Sequence, residues 1–273
     1  MSSHRLQKLH AAIALCVLCL GGVSLARDPS PPAAAARAPE RDTLFQTSTI
    51  NALLEGVYDG DFPVATLRQH GDFGLGTLNG LDGEMVQVDG QVFHVRSDGK
   101  ARRVPDDALV PFADTTFFDA DRSVTVEKPL SFQEMTAYLE TLLASRNIFH
   151  AIRIEGTFTQ VKTRSVPRQA KPYHRLVEVV KTQPTFEFRN QRGVMVGFWT
   201  PNYAAGLNVP GYHFHFLTAE RTGGGHVLEC TLGSVKISVD DTPRFTLDLP
   251  RTQEFLAAIL DTDRRSELNA VEK

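Results

Sequence analysis

The segment Gly211-Tyr-His-Phe-His-Phe-Leu217 constrains this chain more than any other. His213 and His215 alternate with the aromatics Tyr212, Phe214 and Phe216, and a period of two is the signature of a β-strand. Alternate strand residues share a face, so both imidazoles project the same way from Cα atoms about 6.5–7 Å apart. That separation lets both rings reach one metal ion, at about 2.0–2.1 Å for zinc. His226 follows eleven residues after His215 and is preceded by Gly223-Gly-Gly225. Those glycines permit a tight turn that returns a second strand, and His226 with it, beside the pair. Three histidines without a cysteine ligand suit an open, catalytic-type zinc site better than a closed structural one. A His-x-His on a strand also suits a solvated or hydrogen-bonded pair; the third histidine, in an apolar and glycine-punctuated setting, favours ligation. Imidazole accepts nickel, iron, manganese and copper as well, so the pattern favours zinc without fixing it.

The start of the chain reads as a targeting segment. Arg5 and Lys8 precede an apolar run from Ala11 to Leu20, and Ser24-Leu-Ala26 offers a small-residue cleavage site. Residues 1–26 are therefore expected to be a secretory signal peptide, too short in its apolar run for a comfortable membrane span. The expected location is exported, periplasmic or secreted. Cys16 and Cys19 leave with the signal, and Cys230 alone cannot form an internal disulfide. In an apolar strand it reads as a small buried hydrophobe. Cleavage would move the net charge from −3 to −5. No basic stripe survives, so neither nucleic acid nor an anionic membrane is expected as a partner, and a small molecule is. The sequence leaves the oligomeric state open, a homodimer being one expectation.

Residues 27–42 are Pro/Ala-rich and read as a disordered linker, with folded sequence from residue 43 to 273. Thr49–Gly56 reads as a short helix stopped by glycine, Phe73–Leu78 and Glu84–Val88 as strands, and Asp89-Gly90 as the turn into Gln91–Val95. Ser131-Phe-Gln-Glu134 is a capping box, opening a helix whose apolar face is Met135, Tyr138, Leu139, Leu142 and Leu143. From Ala151 onward strands dominate: Ile152–Lys162, Thr185–Arg189, Val194–Trp199, the histidine strand, Val227–Leu232, Val235–Val239 and Phe245–Leu249. The last twenty residues read as one or two short helices ending at Glu272. The expected class is α+β, with a mixed sheet in the N-terminal half packed against a mainly antiparallel sheet or barrel in the C-terminal half that carries the metal site.

Four motifs in order resemble the acetolactate decarboxylase family. They are Phe73-Gly-Leu-Gly-Thr-Leu-Asn-Gly-Leu-Asp-Gly-Glu-Met85, Lys162-Thr-Arg-Ser-Val-Pro-Arg-Gln-Ala-Lys-Pro-Tyr173, Val196-Gly-Phe-Trp-Thr-Pro201 and the histidine segment. The resemblance spans essentially all of the chain from residue 43 onward. It implies decarboxylation of (S)-2-acetolactate to (R)-acetoin through a metal-stabilised enediolate, with zinc held by His213, His215 and His226. It implies further that Glu84, Arg164 and Glu272 are catalytic groups and that Thr77 lines the substrate pocket. Leu78 departs from the pattern, which has phenylalanine there. Read from the residues alone, Glu84 also suits a polar strand start, and Arg164, among Lys162, Arg168 and Lys171, a solvated charge.

Two other readings stay open. Gly206, His213, His215 and Glu220 resemble a cupin His-x-His-x4-Glu motif, which would make this a dioxygenase or isomerase, although the glycine expected after the glutamate is misplaced. An exported metal-binding protein without catalysis is the other; it gives Arg164 no role.

Overall fold

The computed structural model describes residues 41–272. The expected signal peptide and all but the last two residues of the expected linker lie outside them. In chain order, β1 (Thr43–Thr47), α1 (Ile50–Glu55), β2 (Phe62–Pro63) and α2 (Val64–His70) lead into β3 (Phe73–Thr77), β4 (Glu84–Val88) and β5 (Gln91–Val95). Then come β6 (Ala101–Arg103), β7 (Leu109–Val110), β8 (Phe112–Thr116), β9 (Arg122–Val126), β10 (Leu130–Ser131) and α3 (Phe132–Glu140). The second half holds β11 (Phe149–Arg164), α4 (Leu176–Val179), β12 (Thr185–Thr200), β13 (Gly211–Thr218), β14 (Gly224–Thr242), β15 (Arg244–Asp248), α5 (Gln253–Ala257) and α6 (Arg265–Glu272). The class is α+β and mostly sheet. No helix among the described residues is long and apolar enough to cross a membrane.

The first large sheet runs β15-β1-β8-β3-β4-β5-β6 and is mixed, because β1 and β15 are parallel while its other pairs are antiparallel. The second is antiparallel, with β9 and β10 on β14 and the order β14-β11-β12-β13. The two sheets are not divided between the halves of the chain as expected: the C-terminal β15 joins the first, and β9 and β10 from the first half join the second. Alternation along the strands builds two cores. Val194, Val196 and Phe198 of β12 face Phe73, Leu75 and Val86 of the first sheet. Their neighbour Met195 faces the other way, with Ile152 and Ile154, toward Met135 and Leu139 of α3. Each such fully buried side chain contributes about 1.5–3 kcal/mol.

Three local expectations are corrected. β12 is one strand where two were expected, and so is β14. In β14 the apparent break is an irregularity in the pairing with β11, whose register shifts between Gly156 and Phe158 and between Phe158 and Gln160; β12 keeps one register with β11 through Gln191–Gly193. Gly156 has φ +150°, and a Cβ there would lie 2.3 Å from the Ser234 carbonyl oxygen; a bulge of this kind bends a strand without ending it. The third correction concerns α3. Its capping box forms, the Ser131 hydroxyl accepting from the Glu134 N–H and the Glu134 carboxylate from the Ser131 N–H. The helix stops at Glu140, so Leu142 and Leu143 pack on the same core from a following turn.

Candidate metal centre

Sheet register assembles most of the site. On β13, His213 and His215 share one face. His215 lies opposite His226 across the β13–β14 pairing, and His226 lies opposite Arg164 across β14–β11. The turn that returns β14 is made by Ala219 and Glu220, closed by the Arg221 N–H donating to the Thr218 carbonyl, with Arg221 at φ +59°, and not by the glycine run. Gly224 and Gly225 are already strand residues. They are small because backbones approach there: added Cβ atoms would lie 2.1 Å from the Phe216 carbonyl oxygen and 2.4 Å from that of Arg164.

The three imidazoles are buried, at 8%, 1% and 3% exposure for His213, His215 and His226. One ring nitrogen from each lies within 4.8 Å of the others. His215 Nδ1 donates to the Met85 carbonyl at 2.8 Å, since a carbonyl can only accept, and its Nε2 is then the basic atom. His213 Nε2 meets His226 Nδ1 at 3.1 Å. His213 Nδ1 and His226 Nε2 are buried with no hydrogen-bond partner among the described residues, an arrangement that costs about 1–3 kcal/mol per group in a protein interior. Burial, with Arg164 nearby, pushes the pKa of His213 down to about 3, and burial pushes His215 and His226 well below the ordinary value. All three are neutral, the form that ligates a cation. Buried, neutral, convergent imidazoles with orphaned nitrogens fit a divalent metal ion.

Charged groups surround this cluster. Glu84, first residue of β4, brings a carboxylate oxygen to 3.5 Å from His215 Nε2. Burial pushes its pKa up to about 7; Arg164 opposes the rise and Glu272 adds to it. The loop before it is held by Thr77, whose hydroxyl donates to the Gly83 carbonyl at 2.7 Å, and by the Gly83 N–H, which donates to the Val166 carbonyl at 3.0 Å. Glu272, at the end of α6, reaches 3.7 Å from His226, 3.9 Å from His213 and 3.9 Å from Arg164. Burial raises its pKa, with Arg164 opposing. Arg164 is 5% exposed. It donates from Nη1 to the Val271 carbonyl, and its Nε is buried without a hydrogen-bond partner among the described residues. All seven residues singled out from the sequence therefore meet around one chamber, lined also by Ile50, Leu53, Phe112 and Leu176.

Glu220 does not take part. It is exposed in the turn and accepts from the Gln191 amide at 2.9 Å, so the cupin pattern has no carboxylate at the histidines. Two supporting residues escaped the sequence reading. Asp82, 6% exposed, is met by Arg96 at 3.1 Å and Arg168 at 3.5 Å, while His94 donates to its carbonyl; together they fix the loop that presents Glu84. Val271, 1% exposed, supplies the carbonyl that Arg164 holds. The available signals were slight: an Asp-Gly pair before Glu84, and the Leu268/Val271 spacing on a helix of two turns.

The profile of the alpha-acetolactate decarboxylase family matches residues 44–262. An alpha-acetolactate decarboxylase of Methanosarcina mazei is 46% identical over 232 residues, 85% of this chain and 81% of that protein. One from Bacillus subtilis strain 168 is 44% identical over 218 residues, 80% of this chain and 86% of its own length. A crystal structure of the enzyme from that strain superposes with a TM-score of 0.83 at 42% identity, covering 84% of this chain and 99% of the other. A Staphylococcus aureus structure, described as a protein of unknown function similar to alpha-acetolactate decarboxylase, gives 0.79 at 31% identity, covering 84% and 98%.

Proposed function

The chain belongs to the alpha-acetolactate decarboxylase family, and from that premise we propose that it converts (S)-2-acetolactate to (R)-acetoin and carbon dioxide with zinc at the histidine cluster. The observation that carries the finer reading is the convergence of three buried neutral imidazoles with Arg164, Glu84 and Glu272. Breaking the bond between carboxylate and α-carbon leaves its electron pair on that carbon, delocalised onto the neighbouring ketone oxygen as an enediolate. One proton then replaces the lost carbon dioxide. A zinc ion held by His213, His215 and His226 would supply Lewis-acid stabilisation of the developing oxyanion.

The chain's own groups do the rest. Arg164 presents a planar guanidinium that orients the substrate carboxylate and then hydrogen-bonds the enediolate. A grip on the carboxylate alone would stabilise the ground state and oppose the reaction. Glu84 and Glu272 approach different histidines and are the two carboxyls able to hold or deliver the proton from one face, as a single-enantiomer product requires. The apolar side chains of Ile50, Leu53, Phe112 and Leu176 keep bulk water out of the chamber, which strengthens each of these interactions.

The pairings β14-β11-β12-β13 return to β14 at His215–Leu217, which supports a barrel-like second sheet with the metal site where it closes. The basic and apolar start of the sequence supports export to the periplasm or the medium. N-terminal sequencing of protein recovered from those fractions tests that. For the activity, racemic acetolactate is added to purified protein of measured metal content, and acetoin and its chirality are followed. Stoichiometric zinc with oxygen-independent release of (R)-acetoin supports the reading. Oxygen uptake would point to a cupin-type enzyme, and metal uptake without turnover to a metal-binding protein.

A further inference from the structure

The histidine cluster is bounded by two compartments of very different size. The inner chamber, which holds Arg164, Glu84 and Thr77, has about 40 Å³ of room. On the far side of α6 lies an outer cleft of about 1000 Å³, between α3, the start of β13 and α6. Small-molecule pockets usually run to about 300–1,000 Å³, so the chamber with Arg164 and Glu84 lacks the space and the cleft, which neither of them lines, has it. Among the described residues, His213, His226 and Glu272 alone line both. The partition between the compartments is thus made by His213 and His226, held in paired strands, and by the last turn of α6, which is the part of it outside the sheet.

We propose that the outer cleft is the entry and first docking compartment for the small, negatively charged hydroxy-keto acid, and that the last turn of α6, with Glu272, is the gate to the inner chamber. This rests on the activity proposed above and concerns how that site is reached. The linings favour this side. Toward α1, α4 and β8 the chamber is closed by Ile50, Leu53, Leu176 and Phe112, each 7% exposed or less, and a carboxylate crossing them would shed its hydration without compensation. The cleft wall instead carries Gln133, Thr136, Glu140, Arg265 and Asn269. Along the cleft side of α6, Arg265, Leu268, Asn269 and Glu272 follow one another at helical spacing. The base of this helix is pinned by ion pairs of Arg264 with Glu55 and of Glu267 with Arg175. Its tip is tied to the chamber by Val271, through apolar packing and the bond from Arg164. A substrate carboxylate that engages Arg164 competes for the group that holds the gate shut.

The test fills the cleft without touching the machinery. Ala137→Trp on α3 and Asn269→Trp on α6 project into it from exposed positions, and Ser266→Trp places the same bulk on α6 outside the cleft lining. Two rates are read on zinc-loaded protein: decarboxylation of acetolactate, and removal of zinc by pyridine-2,6-dicarboxylate, itself a small anionic acid. Both cleft variants should lower kcat/KM and the stripping rate by about tenfold or more, with Ser266→Trp at the parent values. Folded cleft variants with parent rates overturn the proposal, as does a fall in turnover with unchanged stripping, or an equal effect of Ser266→Trp. Where tryptophan prevents folding, Ala137→Phe is read in its place. A parent protein that strips normally but does not decarboxylate would defeat the activity reading instead, and the stripping rates would still decide the route.

Discussion

The end of the chain separates chemistry from docking through two variants. Glu272→Gln keeps the shape of a side chain whose ionised form burial disfavours, so the amide removes a desolvation penalty and the melting temperature should hold or rise slightly. Turnover should nevertheless fall by about 10²-fold or more, the scale of a general acid–base group. Truncation after Ala270 removes the same carboxyl and two further supports. Val271 is 1% exposed, and burying a valine is worth about 1.5–3 kcal/mol. The lost acceptor for Arg164 adds about 1 kcal/mol once water enters the vacated space. A loss of about 2.5–4 kcal/mol lowers the melting temperature of a domain this size by roughly 5–16 °C. Dye-monitored melting and acetoin release on the same preparations measure both quantities. A truncated chain that melts within about 2 °C of the parent would show that α6 is not docked as described. Parent turnover in Glu272→Gln would leave Glu84 alone to manage the proton.

His213→Ala and His226→Ala should each abolish stoichiometric zinc by elemental analysis while the circular dichroism of the fold persists, because two sheets with their own cores do not depend on the ion. Arg164→Lys keeps the charge and loses the planar fork, so turnover should fall at least about 10²-fold; near-normal kinetics would return it to a packing role. The fold also carries a pH dependence away from the site. Burial pushes the carboxyls of Asp114 and Asp240 up from 3.8 to about 7, so the folded state holds these protons more tightly than the unfolded one. Their contribution is full below about pH 4 and is lost as pH rises through about 7, with an upper limit of about 4 kcal/mol for Asp114 and less for Asp240, whose interactions solvent screens more. The doubly substituted Asp114→Asn, Asp240→Asn protein should show a flatter melting temperature between those pH values, and a profile parallel to the parent's would refute the assignment.

What the sequence made legible was local. His213 and His215 share a face because strand periodicity demands it, and His226 joins them because eleven residues suffice for a hairpin. The same logic misplaced the turn: nothing in Gly223-Gly-Gly225 distinguishes a glycine that reverses the chain from one that lets Phe216 and Arg164 carbonyls come close. Strand ends were misread for a related reason. Gly233-Ser234 looks like a break in the sequence, yet a bulge in the pairing with β11 absorbs it, and whether it does depends on the partner strand. Long-range placements left still less trace. The parallel pairing of β15 with β1 joins residues about two hundred positions apart, and Arg164 differs from its basic neighbours only in standing opposite His226.

Glu272 is the instructive case, because family likeness pointed to it and the residues around it did not. A helix end close to a chain end is ordinarily the part a domain can lose. Here Leu268 and Val271 are buried in the cluster that also holds Ile50, Leu53, Phe112 and Leu176, so the apolar wall of the chamber and the anchor of the helix are one structure. The bond from Arg164 to the Val271 carbonyl then joins the buried arginine beside the histidines to the segment that carries the carboxyl. Ordering the tail and completing the charged ring around the histidines are therefore one event. A change that loosens α6, even one far from the histidines such as the loss of the Arg264–Glu55 pair, should lower turnover before it lowers metal content.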